Sequence, residues 1–135
     1  MIIKKSCFTW SINPSNKIDR KTVGKWIIWG SKEYIETLFF KIDKLVEKGL
    51  IYRAKYAHRE NKDEDPFWYK EPMMCVYADD KTKESVLKIL KRLGVKRTTW
   101  KYDKQTEKDW QLGGRLYEEA KKRHQLSSKR CQSKI

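Results

Sequence analysis

Residues 24–49, GKWIIWGSKEYIETLFFKIDKLVEKG, decide the fold. The first six positions are dominated by Trp and Ile, types that suit a pleated strand. After Gly30 the period changes. Tyr34, Ile35, Leu38, Phe39, Ile42, Leu45 and Val46 recur at spacings of three and four, the signature of an amphipathic helix. Ser31 stands where a hydroxyl can cap the first turn, and Gly49 where the chain can leave the helix with positive φ. A strand followed at once by a one-sided helix implies a sheet face for that helix to cover.

Working outward, residues 2–10 read as one β-rich strand and Asn13-Pro14-Ser15-Asn16 as a turn. Residues 50–58 alternate like a strand, with a polar connection over 59–72 that carries Phe67, Trp68 and Tyr69 as an aromatic anchor. Residues 73–78 (MMCVYA) form the next strand. Asp79 or Asp80 caps a second helix running to Leu93, with Val86, Leu87, Leu90 and Leu93 as its stripe and Gly94 as its stop. Residues 97–103 make a final strand, and residues 115–125 a third helix after Gly113-Gly114. The order β-β-α-β-β-α-β-α gives an α+β domain over residues 1–125, a mostly antiparallel sheet with helices packed on one face. Residues 126–135 are expected to form a basic flexible tail.

The chain is 135 residues long, within the range of one domain, and has a net charge of +14 from 32 basic and 18 acidic residues. Lys121, Lys122, Arg123, Lys129, Arg130 and Lys134 concentrate part of that charge near the C-terminus. Such an excess draws polyanions, although a lysine-rich surface also serves solubility. Cys7, Cys75 and Cys131 are odd in number and lack C-x-x-C spacing, which argues against a disulfide scaffold or a zinc knuckle. No apolar run is long enough for a signal peptide or a membrane span, so a reduced cytoplasmic setting without membrane contact is expected.

Strand alternation places the functional candidates. Tyr52, Ala54 and Tyr56 share one face and Arg53 and Lys55 the other. Trp100 and Tyr102 oppose Thr99, Lys101 and Asp103, while Trp26 and Ile28 oppose Lys25, Ile27 and Trp29. With the apolar sets under the helices, the open face collects Lys25, Arg53, Lys55, Arg97 and Lys101 as phosphate-binding cations. Trp29 and the loop residue Trp68 are the stacking candidates, with Asp103 and Thr106 as polar partners. Cations beside an aromatic ring suit a ligand that joins phosphate to a flat base.

Standard catalytic signatures are missing: there is no P-loop, G-x-G-x-x-G, G-x-S-x-G or H-E-x-x-H. His58 and His124 are too isolated for a metal cluster, and no cofactor is implied. Lys55, Lys101 and Asp103 could cooperate on a phosphorylated substrate, though no spacing demands it.

Gly24-Lys25-Trp26, Ala54-Lys55, Cys75-Val76-Tyr77 with Asp79-Asp80, and Tyr102-Asp103 with Thr106 stand in an order that resembles the basophilic-leukaemia-expressed protein family. The resemblance spans roughly residues 23–110, including the helix between residues 81 and 93. That family is similar in fold to the cap-binding translation initiation factors. The resemblance therefore implies a curved antiparallel sheet backed by helices, and a methylated guanine nucleotide held by aromatic rings and cations. Some relatives are labelled as phosphothreonine lyases.

The first expectation is thus a binding module for RNA, single-stranded nucleic acid or a nucleotide. The alternatives are a small enzyme acting on a phosphorylated substrate, and an adaptor whose acidic loop and basic tail bind a protein partner.

Overall fold

The computed structural model describes residues 1–5, 8–57, 72–109, 111, 114–116 and 118–119. The elements bounded among the described residues are β1 (Ile2–Lys4), β2 (Phe8–Ile12), β3 (Gly24–Trp29), α1 (Lys32–Glu47), β4 (Arg53–Ala57), β5 (Met73–Ala78), α2 (Lys83–Arg92), β6 (Thr99–Tyr102) and α3 (Asp103–Asp109). The strands make one sheet in the order β1-β2-β4-β5-β3-β6, antiparallel at every pairing. The protein is therefore of the α+β class.

The strand-to-helix switch at residues 24–49 forms as its pattern predicts. Ser31 accepts a hydrogen bond from Tyr34 N, and Gly49 takes φ of 79° beyond the last turn. Helix α1 buries Ile35, Leu38, Phe39, Ile42 and Val46 on the sheet face formed by Trp26, Ile28, Ala54, Met74, Val76 and Ala78. Helix α2 adds Val86 and Leu90 to the same core. At one edge Trp100 packs edge-on against Trp26, with centroids 5.1 Å apart, and Trp26 Nε1 donates to the Lys83 carbonyl.

Three boundaries differ from the sequence reading. The expected strand over residues 2–10 is a hairpin, β1 with β2, because the chain reverses and Lys5 N donates to Phe8 O. No Gly, Pro or Asn marks that reversal in the sequence. Helix α2 starts after Thr82, not at Asp79 or Asp80. Asp79 instead accepts from the backbone N–H groups of Lys81 and Thr82 and from the Thr82 hydroxyl, organising the preceding turn. The last strand stops at Tyr102, and α3 begins immediately. Of the expected helix over 115–125, residues 115, 116, 118 and 119 are helical and the rest lie outside the described residues, as do the loop over 59–71 and the tail.

The face away from α1 and α2 is covered as well. The segment between β2 and β3 is fastened at two points: Asn16 Nδ2 donates to the carbonyls of Ile51 and Tyr52, and Asp19 N donates to Asp79 Oδ2. It lays Ile18 and Val23 over Trp10, Cys75 and Tyr77 in a second apolar cluster. Helix α3 closes beside it. Among the described residues no helix is long and apolar enough to cross a membrane.

Candidate functional site

Register aligns the side chains of this second face in two rows. Trp10, Lys55, Cys75, Ile27 and Thr99 lie side by side across the sheet, and next to them run Arg53, Tyr77, Lys25 and Lys101. The alternation expected for Lys25, Arg53, Lys55 and Lys101 is therefore present. The expectation of an open basic face is not: Lys25 is only 4% exposed and Lys55 2%. Asp103 and Thr106 of α3 cover Lys25 and the Phe8 and Trp10 rings lie beside Lys55, and nothing in the strand pattern announces either.

Burial forces each cation to be compensated. Lys25 Nζ lies 3.2 Å from Asp103 Oδ1 and 3.0 Å from Thr106 Oγ1, so β3 is tied to the first turn of α3. Burial raises the Asp103 carboxyl above its ordinary value, with Lys25 opposing the rise. Lys55 Nζ sits 4.1 Å from the Phe8 ring centroid and 5.0 Å from that of Trp10, an aromatic setting that offsets part of its desolvation. Its amine is nonetheless lowered to about 8, chiefly by burial. Burial pushes the neighbouring Cys75 thiol up, and the Tyr77 phenol well up.

Beside this cluster opens a pocket of about 440 Å³ lined by Trp10, Arg20, Tyr52, Arg53, Tyr77, Asp103, Lys104 and Glu107 among others. Three of these side chains carry buried polar atoms with no hydrogen-bond partner among the described residues: Arg53 Nε, Tyr77 Oη and Asp103 Oδ2. The Arg53 guanidinium stacks 4.5 Å from the Tyr52 ring centroid and donates to the Tyr52 hydroxyl at 2.5 Å. Trp10 and Tyr77 stack nearly parallel, 17° apart. The pocket thus sets aromatic walls beside a fixed cation, a buried hydroxyl and a buried carboxylate.

Of the sequence candidates, Arg53 and Asp103 line the pocket, while Lys25 donates to both Asp103 and Thr106. Lys55 lies in the adjoining row, and Lys101 is half-buried on edge strand β6 beside Lys25. Arg97 is exposed in the α2–β6 connection, and Trp29 stands 45% exposed at the far end of β3; neither lines the pocket. Trp68 is outside the described residues. Tyr52 was expected on the helix side with Ala54 and Tyr56. It packs on the opposite cluster because β4 begins only at Arg53, so strand alternation does not reach it. The reading also missed Trp10 and Tyr77, which alternation on β2 and β5 could have placed once the pairing was known.

Among the described residues no group of three or more His, Cys, Asp or Glu side chains could hold a metal ion. Comparison with protein-family models, with curated proteins and with solved structures finds no match to this chain.

Proposed function

We propose that this protein binds a phosphate-bearing ligand with a planar ring, a nucleotide or a nucleotide unit of RNA, in the pocket between the β2–β3 segment and α3. The observation that carries this reading is the trio Arg53 Nε, Tyr77 Oη and Asp103 Oδ2, buried at the pocket without hydrogen-bond partners among the described residues. Buried polar atoms are nearly always hydrogen-bonded, and an unmet one costs about 1–3 kcal/mol. A ligand that supplies acceptors to Arg53 and Tyr77 and a donor to Asp103 removes those costs on binding. Arg20, Arg53 and Lys104 suit phosphate, and Trp10, Tyr52 and Tyr77 offer ring surface. The volume lies within the roughly 300–1,000 Å³ common for small-ligand sites. A nucleotide ligand also agrees with what the family resemblance implies.

Calorimetric titration with adenosine and guanosine mono-, di- and triphosphates tests the proposal. Saturable binding is expected, weakened at least about tenfold by Arg53→Gln, since a charge-assisted hydrogen bond is worth about 1.5–3 kcal/mol. Absence of binding at millimolar nucleotide in low salt, or equal affinity in the variant, contradicts it.

A second reading, catalysis on a phosphorylated substrate, is favoured by the convergence of buried Lys25, Asp103 and Lys55 next to the pocket. Asp103 is the member of that group a ligand reaches, and Lys55 has an amine poised near neutrality. Phosphorus NMR of nucleotides and phosphopeptides incubated with wild type and Asp103→Asn decides. Turnover lost in the variant supports catalysis, and unchanged spectra with wild type leave the binding reading alone.

A further inference from the structure

We propose that the solvent face of α2, extended by Lys96 and Arg97, docks the phosphate backbone of a nucleic acid, independently of the pocket. Over residues 81–97 the chain places Lys81, Lys83, Lys88, Lys91, Arg92, Lys96 and Arg97 against Glu84 alone. Helix α1 packs on the same face of the sheet and gives the internal comparison. Over residues 32–48 it sets Lys32, Lys41, Lys44 and Lys48 against Glu33, Glu36, Asp43 and Glu47, a balanced surface. A generally lysine-rich composition would load both helices alike.

Lys88, Lys91, Arg92, Lys96 and Arg97 are all exposed, and none makes an ion pair among the described residues. The helix dipole accounts for Lys91 and Arg92 in the last turn. It does not account for Lys88, or for Lys81 near the opposite end. Lys88 also stands three and four residues from Lys91 and Arg92, where like charges repel, and a polyanion laid along the face relieves that repulsion. A lipid surface fits less well: no large apolar side chain is exposed on α2 to enter a bilayer.

The test uses the full chain and a labelled single-stranded RNA of about twenty nucleotides, titrated at several salt concentrations. One variant carries Lys88→Gln, Lys91→Gln and Arg92→Gln; the control carries Lys32→Gln, Lys41→Gln and Lys44→Gln on α1. The wild type should bind, the α2 variant should lose at least about tenfold at low salt, and its slope of log affinity against log salt should be shallower by about 2. The α1 variant should stay within about twofold of wild type, a smaller change than one lost phosphate contact gives. No RNA binding by the wild type, an unchanged slope in the α2 variant, equal losses in both variants, or binding to anionic vesicles in preference to RNA would each overturn the proposal. Pocket ligands are read separately, because none of the substituted residues lines the pocket.

Discussion

Lys25 Nζ and Asp103 Oδ1 meet at 3.2 Å across 78 residues of chain, with both side chains almost wholly inaccessible. An ion pair in such a place stabilises less by its presence than it destabilises when halved. Lys25→Met alone leaves a buried carboxylate and should cost about 3–5 kcal/mol in a denaturant melt. Lys25→Met with Asp103→Leu should recover most of that loss. A double variant no more stable than the single would show that the pair is not the fastening between β3 and α3.

Lys55 supplies a pH signature. Its amine falls from the ordinary 10.5 to about 8 on folding, mainly through burial. Between those values the unfolded chain holds a proton that the native protein lacks. Stability from this group therefore declines as pH drops from 10.5 to about 8, then stays lowered. The shift corresponds to about 3 kcal/mol. Lys55→Met should flatten the rise in stability from pH 8 upward. A strongly destabilised variant with the wild-type slope would contradict the assignment.

At the β6 edge Gly24 and Trp100 occupy one space. A Cβ on Gly24 would come within 2.6 Å of Trp100 Cζ2 and 2.8 Å of the Lys101 carbonyl oxygen. Gly24→Ala should cost about 1–3 kcal/mol by overpacking. Trp100→Ala should cost about 3 kcal/mol by leaving a cavity against Trp26 and Tyr102. Thermal melts of both variants check the packing. Gly24→Ala made in the Trp100→Ala background should cost less than it does alone.

Asp79 anchors the acid side. Burial alone would raise its carboxyl, but hydrogen bonds from Asp19 N and from Thr82 and Lys81 hold it below the ordinary 3.8. Its contribution is complete above that value and is lost as pH falls through the lowered one. Asp79→Ala should cost at least about 1 kcal/mol at pH 7, as loss of a carboxylate that accepts backbone hydrogen bonds does, and should make stability less sensitive to pH below 4. Equal acid sensitivity in wild type and variant would remove Asp79 from this role.

Much of the fold was legible because periodicity changes abruptly. The shift from GKWIIW to the three- and four-residue spacing of α1 placed a strand, a helix and both caps. The helix-facing pairs Trp26 and Ile28 on β3 and Ala54 and Tyr56 on β4 followed. Alternation also put Lys25, Arg53, Lys55 and Lys101 on one face. What it could not show is that this face is roofed. The roof is made by Asn16 and Asp19 bonding to carbonyls and a carboxylate more than thirty residues away, and by α3 folding back so that Asp103 meets Lys25. Such long-range hydrogen bonds leave no local pattern. The pocket, with Trp10, Tyr52 and Tyr77 in its walls, stayed hidden for the same reason.

Tyr77→Phe, compared with wild type in two experiments on the same preparation, tests whether the pocket binds nucleotide. If Tyr77 Oη is held without a partner for a ligand to satisfy, its removal should leave the free protein as stable as wild type, or more stable by up to about 1 kcal/mol. The same variant should bind nucleotide about fivefold to tenfold more weakly, the worth of one hydrogen bond. A Tyr77→Phe protein that loses more than about 1 kcal/mol when free, yet binds nucleotide with unchanged affinity, would contradict the account.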